Sequence, residues 1–409
     1  MIQPISAGIL VSIVGFASTF AVVLKGLVAV GATQEQAASG LLAVLLMTGV
    51  LAIGFGLRTR MPVSFAWSTP GAALLAVTAA PAGGFPVAVG AFLVSAALIV
   101  AAGLWRPFGR AVARIPTSLA AAMLAGILFG LCVAPVKAVA ALPTLALPIV
   151  LVWAVALRFA RPYAVPLAVV VTGIVVGLAT PLPAMKAAEL VPRLSFVVPA
   201  LTLDAVIGIA LPLFVVTMAS QNVPGLAVMR ANGYQPTVGP IFVATGIASA
   251  VGAVFGGHAV NLAAITAALC AGPEAHPDPA RRYVAGVTSG IGYVLLGLTA
   301  SFAAAFVAAS PPLLIEAVAG LALLGSFASA LQSALASEDD RLPAIVTFVT
   351  AASGTGFFGI GAAFWGLVAG GALMLLLRSR KSLAEQTPSG RHVGPEPRKL
   401  RDGVREVTR

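Results

Sequence analysis

Met61-Pro-Val-Ser64-Phe-Ala-Trp67-Ser-Thr69-Pro70-Gly-Ala-Ala-Leu-Leu-Ala-Val-Thr78 is the stretch on which the fold turns. Polar, aromatic and proline residues fill its first part, and an apolar run at about 68–80 follows. A helix needs roughly 20 apolar residues to cross a bilayer, so this run cannot cross unaided. In a water-soluble protein it would pass as a short core helix. The rest of the chain removes that option. Its 409 residues are 59% hydrophobic and 9% charged, with mean hydropathy +1.04, whereas soluble domains carry roughly a quarter charged residues. Disorder is excluded by the same figures, and collagen by the lack of a glycine period. A polytopic, all-α membrane protein remains, and the run at 68–80 reads as a half-helix.

Working outward, the chain breaks into apolar segments near 5–24, 37–57, 68–80, 85–104, 117–132, 143–159 and 164–180. A polar, proline-rich piece with Lys186, Glu189 and Arg193 intervenes. A second set runs near 203–229, 237–255, 262–271, 283–306, 312–335, 343–352 and 356–377. The pieces at 262–271 and 343–352 are also too short to cross alone. Weak similarity links the sets: Lys25-Gly26-Leu27 aligns with Pro224-Gly225-Leu226, and Met61-Pro-Val-Ser64 with His258-Ala-Val-Asn261. Seven spans per copy is odd, so the copies are inverted across the membrane. Inverted repeats with broken helices hold substrates near the midplane in many secondary transporters.

The net charge of +11 does not mark a nucleic-acid partner. Nine of the 24 Lys/Arg fall from Arg378 onward, and the others lie mostly in short loops. With the N-terminus inside, eleven of those others face the cytoplasm, among them Arg58, Arg60, Arg230, Arg281, Arg282 and Arg341. Lys25, Lys137, Lys186 and Arg193 face outward. This bias follows the positive-inside rule and, with fourteen crossings, places both termini in the cytoplasm. Residues 379–409 read as a disordered cytoplasmic tail attracted to anionic lipid. Met1 leads into the first apolar run without a basic region, so no cleavable signal is expected. Cys132 and Cys270 sit in apolar runs and suggest neither a disulfide nor a metal site. No cofactor is expected.

Where a helix begins inside the membrane, its first N–H groups are unpaired and partly positive, and an anion can satisfy them. Ser64, Thr69 and Asn261 stand where two such helices would begin. They either line that site or only cap helices and join neighbours.

Leu211-Pro-Leu-Phe-Val-Val-Thr-Met-Ala-Ser-Gln-Asn-Val-Pro-Gly225, Arg230-Ala-Asn-Gly-Tyr234 and Phe255-Gly-Gly-His-Ala-Val-Asn-Leu262 resemble the benzoate transporter (BenE) family, nearly to Arg378. Ser64-Phe-Ala-Trp-Ser-Thr-Pro70 is distantly similar to a motif of the uracil/xanthine permeases. The resemblance implies fourteen spans as seven plus seven inverted repeats, with half-helices and short extended stretches in spans 3 and 10. It divides them into a core domain (1–110 and 201–306) and a gate domain (111–200 and 307–378), with substrate between spans 3 and 10. It also implies a bacterial inner-membrane protein and a homodimer through the gate domains.

The permeases carry acids where this chain has Gln221 and Ile265-Thr266. Their absence suits an anion, which a fixed carboxylate would repel. The expected site therefore takes amide donors from Gln221, Asn222 and Asn261, aromatic surface from Trp67 and Phe65, and hydroxyls from Ser64 and Thr69. His258 is the one histidine within an apolar stretch and the natural proton carrier; a neutral ring bonded to the span-3 backbone is the other reading. Glu316, just after Pro311-Pro312, is a second proton-coupling residue on this reading, or a first-turn acid favoured by the helix dipole. Lys25 snorkels outward or offers a cation to an incoming anion. Asp204 is a cap or first-turn acid, Glu338–Arg341 a solvated turn, and Gly354–Gly361 a tight helix-packing segment.

The sequence thus points to import of benzoate or a related aromatic carboxylate with a proton. A nucleobase carrier, a small inorganic anion carrier or a channel of the same fold is the alternative. It has no His-Glu-x-x-His motif, paired intramembrane aspartates or Ser/His dyad, and an enzyme is not expected.

Overall fold

The computed structural model describes residues 2–105, 107, 116–179, 191–263, 265–357 and 360–386, with side chains as far as Arg378. Lys186, Glu189 and the stretch 387–409 expected as a tail lie outside these. With each strand taken together with its half-helix and the bent pair as one, the described longer elements fall into two sets of seven. The first set is α1 (Ile2–Ala29), α2 (Gln34–Thr59), β1 (Phe65–Trp67) with α3 (Thr69–Ala76), α4 (Phe85–Leu104), α5 (Thr117–Ala141), α6 (Pro143–Phe159) and α7 (Ala164–Ala179). The second opens with the long helix α8 (Leu203–Ala231). Then come α9 (Val238–Ala253), β2 (Val260–Leu262) with α10 (Ile265–Ala271), α11 (Tyr283–Gly297) with α12 (Ala300–Ala309), α13 (Pro312–Ala334), α14 (Arg341–Ala352) and α15 (Ala362–Gln386).

The offset of 197 residues that takes Ser64 to Asn261 lays each helix of the first set over its counterpart in the second, and brings β1 onto β2 at Leu262. By length and apolarity seven helices are fit to cross a bilayer, or eight if α11 and α12, bent by 58°, form one span. The run expected at 283–306 is thus broken, and that expected at 117–132 continues to Ala141. The last helix runs to Gln386, past the expected start of the tail at 379.

Two prolines shape α8. Its first π turn, Val206–Ala210, immediately precedes Leu211-Pro212, and its second, Met218–Asn222, precedes Val223-Pro224. A proline has no N–H to donate and its ring clashes with the carbonyl four residues back, and widening the preceding turn relieves both problems. The second π turn contains Ser220-Gln221-Asn222, so a backbone irregularity presents the motif's amides.

The two half-helices meet through β1 and β2, which pair antiparallel with Phe65 opposite Leu262, Ala66 opposite Asn261 and Trp67 opposite Val260. Phe65 and Leu262 are related by the same 197-residue offset, so the local two-fold axis passes between them. The ladder continues on either side through Ser68 N–H to Ala259 O (2.8 Å) and Ala263 N–H to Ser64 O (2.9 Å). An open ribbon survives at this depth only if its polar groups are satisfied.

Around the ribbon, α1, α2, α4, α9 and α11 pack on one another, while α5, α13, α14 and α15 form a second group. At the far end of α10, Arg282 is buried and donates to three carbonyls, those of Ala271, His276 and Pro277. Its charge suits the negative end of that helix. Asp340 accepts from Ser118 Oγ (3.1 Å) and pairs with Arg378 (3.1 Å), with its side chain 15% exposed. The Glu338–Arg341 turn is therefore a clasp between α5, α14 and α15 and not merely solvated. Of the segment Gly354–Gly361, expected as tight helix packing, the described residues 354–357, 360 and 361 are non-helical, with a bridge between Phe357 and Ile360. Thr202 caps α8 through Ala205 N–H, leaving Asp204 in the first turn.

Candidate functional site

The ribbon and the helix starts on either side of it gather most of the residues expected at the site. Ser68, not Thr69, caps α3: its Oγ accepts from Gly71 N–H (3.1 Å) and shares a hydrogen bond with Thr217 Oγ1 of α8 (2.8 Å). Thr69 is the first helical residue and is half-buried. Ser64 Oγ shares a hydrogen bond with Thr266 Oγ1 in the first turn of α10 (3.1 Å). Both half-helix starts are thus tied across the repeat by hydroxyl pairs.

The outer edge of β2 faces side chains, not a third strand. Val260 N–H donates to Ser249 Oγ of α9 (2.8 Å), and Leu262 N–H donates to Asn222 Oδ1 from the π turn of α8 (2.9 Å). The alternate N–H of Ala263 points inward to β1. An unpaired edge is costly in a dry interior, and these two side chains close it. Gln221 lies half-buried beside Asn222 in the same turn.

His258 is fully buried and its Nε2 lies 3.0 Å from the Ser68 carbonyl oxygen. A carbonyl can only accept, so Nε2 carries the proton and the neutral ring keeps its lone pair on Nδ1. That Nδ1 has no partner among the described residues, nor does Asn261 Oδ1, although Asn261 Nδ2 donates to Leu262 O (2.6 Å). Four buried side-chain polar atoms lack partners in the described structure, and two of them fall within His258–Asn261. Buried polar groups are normally satisfied, so this pair marks a place where another group is expected to dock.

The aromatic residues are a correction. Strand alternation points Phe65 and Trp67 away from the face that Ala66 and Asn261 share. Phe65 is fully buried against Phe55, with ring centroids 5.3 Å apart. Trp67, 2% exposed, donates from Nε1 to Thr19 Oγ1 (2.9 Å) and meets Tyr293 edge-on. Neither ring presents a free face, so in this conformation they hold the ribbon to α1, α2 and α11.

Glu316 is not part of this cluster. It lies on α13, pairs with Lys25 of α1 at 2.9 Å, and lines a cavity of about 450 Å³ between α1, α2, α12 and α13. Sequence reasoning missed Thr19, Thr217, Ser249 and Tyr293, and marked Thr266 only as standing where the permeases carry an acid. Thr217 and Ser68 lay inside quoted motifs; Thr19, Ser249 and Tyr293 carried no local signal.

No Asp, Glu, Lys or Arg occurs in 61–78, 206–229 or 258–271, the segments that build the site. A neutral set of hydroxyls, amides and helix N–H groups can receive an anion without like-charge repulsion.

Residues 1–376 match the family of benzoate membrane transport proteins, BenE. The chain is 43% identical over 377 residues to "Inner membrane protein YdcO" of Escherichia coli (strain K12), covering 91% of this chain and 95% of that protein. It is 33% identical over 381 residues to "Benzoate membrane transport protein" of Acinetobacter baylyi (strain ATCC 33305 / BD413 / ADP1), covering 92% and 95%. Among solved structures it resembles the transmembrane domain of the cyanobacterial bicarbonate transporter BicA, with TM-score 0.60 and 14% identity over 90% of this chain and 98% of that one. SLC26A9 gives TM-score 0.57 and 14% identity over 92% of this chain, which spans 66% of that chain's length. At such identity these structures bear on the fold alone.

Proposed function

The chain belongs to the benzoate membrane transport (BenE) family, and from that premise we propose that it carries benzoate or a related aromatic carboxylate together with a proton. It is a multi-pass membrane transport protein. We place it in the bacterial inner membrane, in keeping with the name of the Escherichia coli relative. All fourteen elements cross or enter the bilayer in this reading, with both termini cytoplasmic.

One observation carries the substrate site: the two half-helix starts face each other across the ribbon among segments without a charged residue; the unpartnered acceptors beside them, Asn261 Oδ1 and His258 Nδ1, would take a hydrogen-bond donor and not the carboxylate itself. The carboxylate is received by Gln221, Asn222 and the helix-start N–H groups, with Ser64 and Thr69 beside them. Residues 1–110 and 201–306 move as a core against 111–200 and 307–378 as a gate, exposing the ribbon to each side in turn. A protomer contact through the gate group is consistent with this division.

Uptake of radiolabelled benzoate into proteoliposomes, with and without an inward proton gradient, tests the reading. Saturable uptake driven above equilibrium by the gradient is the expected result. Benzoate uptake that ignores the gradient would leave a uniporter or channel. No benzoate uptake, with bicarbonate or sulfate carried instead, would favour the small-anion alternative, which the buried rings of Phe65 and Trp67 make the second reading.

His258 enters as the anchor between β2 and the cap of α3. His258→Ala is expected to abolish accumulation. His258→Gln keeps a donor for the Ser68 carbonyl and is expected to retain both substrate exchange and gradient-driven accumulation. Exchange without accumulation in the Gln variant would return the proton to Nδ1.

A further inference from the structure

We propose that the cavity at the seam of α1 and α13 is a second binding site for the aromatic carboxylate, in which the substrate takes Lys25 from Glu316 and the freed Glu316 takes up the co-transported proton. The inference rests on the carboxylate/proton reading above and names a site and a proton acceptor for it.

The cavity, about 450 Å³, is lined mostly by apolar side chains, including Leu24, Val28, Ala37, Val307 and Ile315. Its charged lining groups are Lys25 and Glu316, joined at 2.9 Å with side chains 27% and 33% exposed. Gln34 and Ser310 add neutral polar groups. An apolar cavity with one cation fits a ring bearing a carboxylate: the ring meets the walls and the carboxylate meets the ammonium. Thr19, which holds Trp67, precedes Lys25 on α1 by six residues, a rise of about 9 Å along a helix. The cavity is thus a station next to the ribbon on the same helix.

Charge balance supplies the coupling. At rest, one ammonium faces one carboxylate. When a substrate carboxylate enters, two carboxylates share one cation in a largely apolar space, and like charges at such a distance cannot both stay ionised cheaply. A proton from bulk water adds to a Glu316 carboxylate oxygen. The site then holds Lys25 as a cation, the substrate as an anion and Glu316 as a neutral acid, so its net charge is unchanged. Among the described residues, no other ion pair engages Glu316. The other helices packed on α13 bring few charges: Lys137 lies on α5, Arg158 lies in the last turn of α6 and Arg341 opens α14, while α7 and α12 carry none. Breaking the Lys25–Glu316 pair also removes the ion pair that joins α1 to α13, linking occupancy to the contact between the two helix groups.

Calorimetric titration of benzoate into the full chain in lipid nanodiscs, between about pH 6 and 8, tests this. Wild type is expected to bind with an affinity that falls by up to about tenfold per pH unit as pH rises, because one proton enters with the anion. Glu316→Gln, a stand-in for the neutral acid, is expected to bind without that slope and to exchange benzoate without proton-driven accumulation. Lys25→Gln is expected to bind one equivalent fewer than wild type, and Lys25→Arg to restore it; thermal melting checks that each variant is folded. A wild-type pH slope in Glu316→Gln, or an unchanged stoichiometry in Lys25→Gln, overturns the inference and leaves the function standing. Wild type that binds no benzoate overturns the function and this site with it.

Discussion

Replacing Asn222 by alanine is expected to reduce benzoate uptake at least about fivefold, while the protein still inserts and folds. Asn222 is fully buried, and its Oδ1 accepts the outward N–H of Leu262. Leu262 faces Phe65 at the centre of the ribbon, so this bond fixes span 8 to the axis of the repeat. Alanine leaves a buried N–H without a partner, which costs about 1–3 kcal/mol. A difference of that size shifts a two-state population roughly 5- to 150-fold. The loss falls on the closed ribbon rather than on the whole fold, because Val260 N–H keeps Ser249 and the inward ladder remains. Asn222→Asp separates shape from charge. It retains an acceptor in the same volume but adds a carboxylate near the membrane interior, at about 2.5–3.5 kcal/mol on insertion scales, and it repels an anionic substrate. Both variants are therefore expected to lose uptake, with Asp also losing benzoate affinity. Wild-type uptake by the Ala variant, measured beside its melting temperature, would remove Asn222 from the site.

How much of this was legible in the residues depends on the range over which each signal acts. The half-helices were readable because an apolar run of the wrong length is a local fact: α3 and α10 fall within the runs at 68–80 and 262–271. The repeat was readable at Ser64 and Asn261, and the structure lays the other elements on the same offset. The pairing of β1 with β2 was not readable, since three-residue strands carry no periodicity and their partner lies some 195 positions away, as Asn261 does from Ala66. The π turns were signalled by Pro212 and Pro224, but the direction in which a proline distorts a helix depends on its packing. Trp67 and Phe65 misled for a related reason. A motif names a residue type, whereas the pleat decides which face it serves, and here it turned both rings inward. Lys25 and Glu316 looked like helix-end charges, each explicable alone, and only the fold brings α1 against α13. Such long-range pairs leave no trace in either local sequence.

Gly225→Ala is expected to lower both transport and melting temperature, whereas Gly130→Ala raises or leaves unchanged the melting temperature and preserves transport. In most helices alanine improves on glycine by about 0.5–1 kcal/mol, through a smaller loss of backbone entropy. Gly130 on α5 has open space where a Cβ would go, so that gain is free to appear. At Gly225 a Cβ would lie 2.9 Å from the Ala263 carbonyl oxygen and 2.9 Å from Leu262 Cβ, on the ribbon side of span 10. Backbone and a packed strand cannot yield as a flexible side-chain tip could, and overpacking of this kind costs about 1–3 kcal/mol. The sign should therefore reverse between the two positions. Gly26, the residue that aligns with Gly225 in the repeat, makes the corresponding approach from span 1: its Cβ would lie 2.5 Å from the Ala72 carbonyl oxygen of α3. Gly26→Ala is accordingly expected to be at least as damaging as Gly225→Ala. Matched losses at the two glycines would mean that both long helices hold their half-helices by the same bare backbone contact. A neutral Gly225→Ala beside a damaging Gly26→Ala would mean that the two halves of the repeat, alike in backbone, tolerate movement at their half-helices to different degrees.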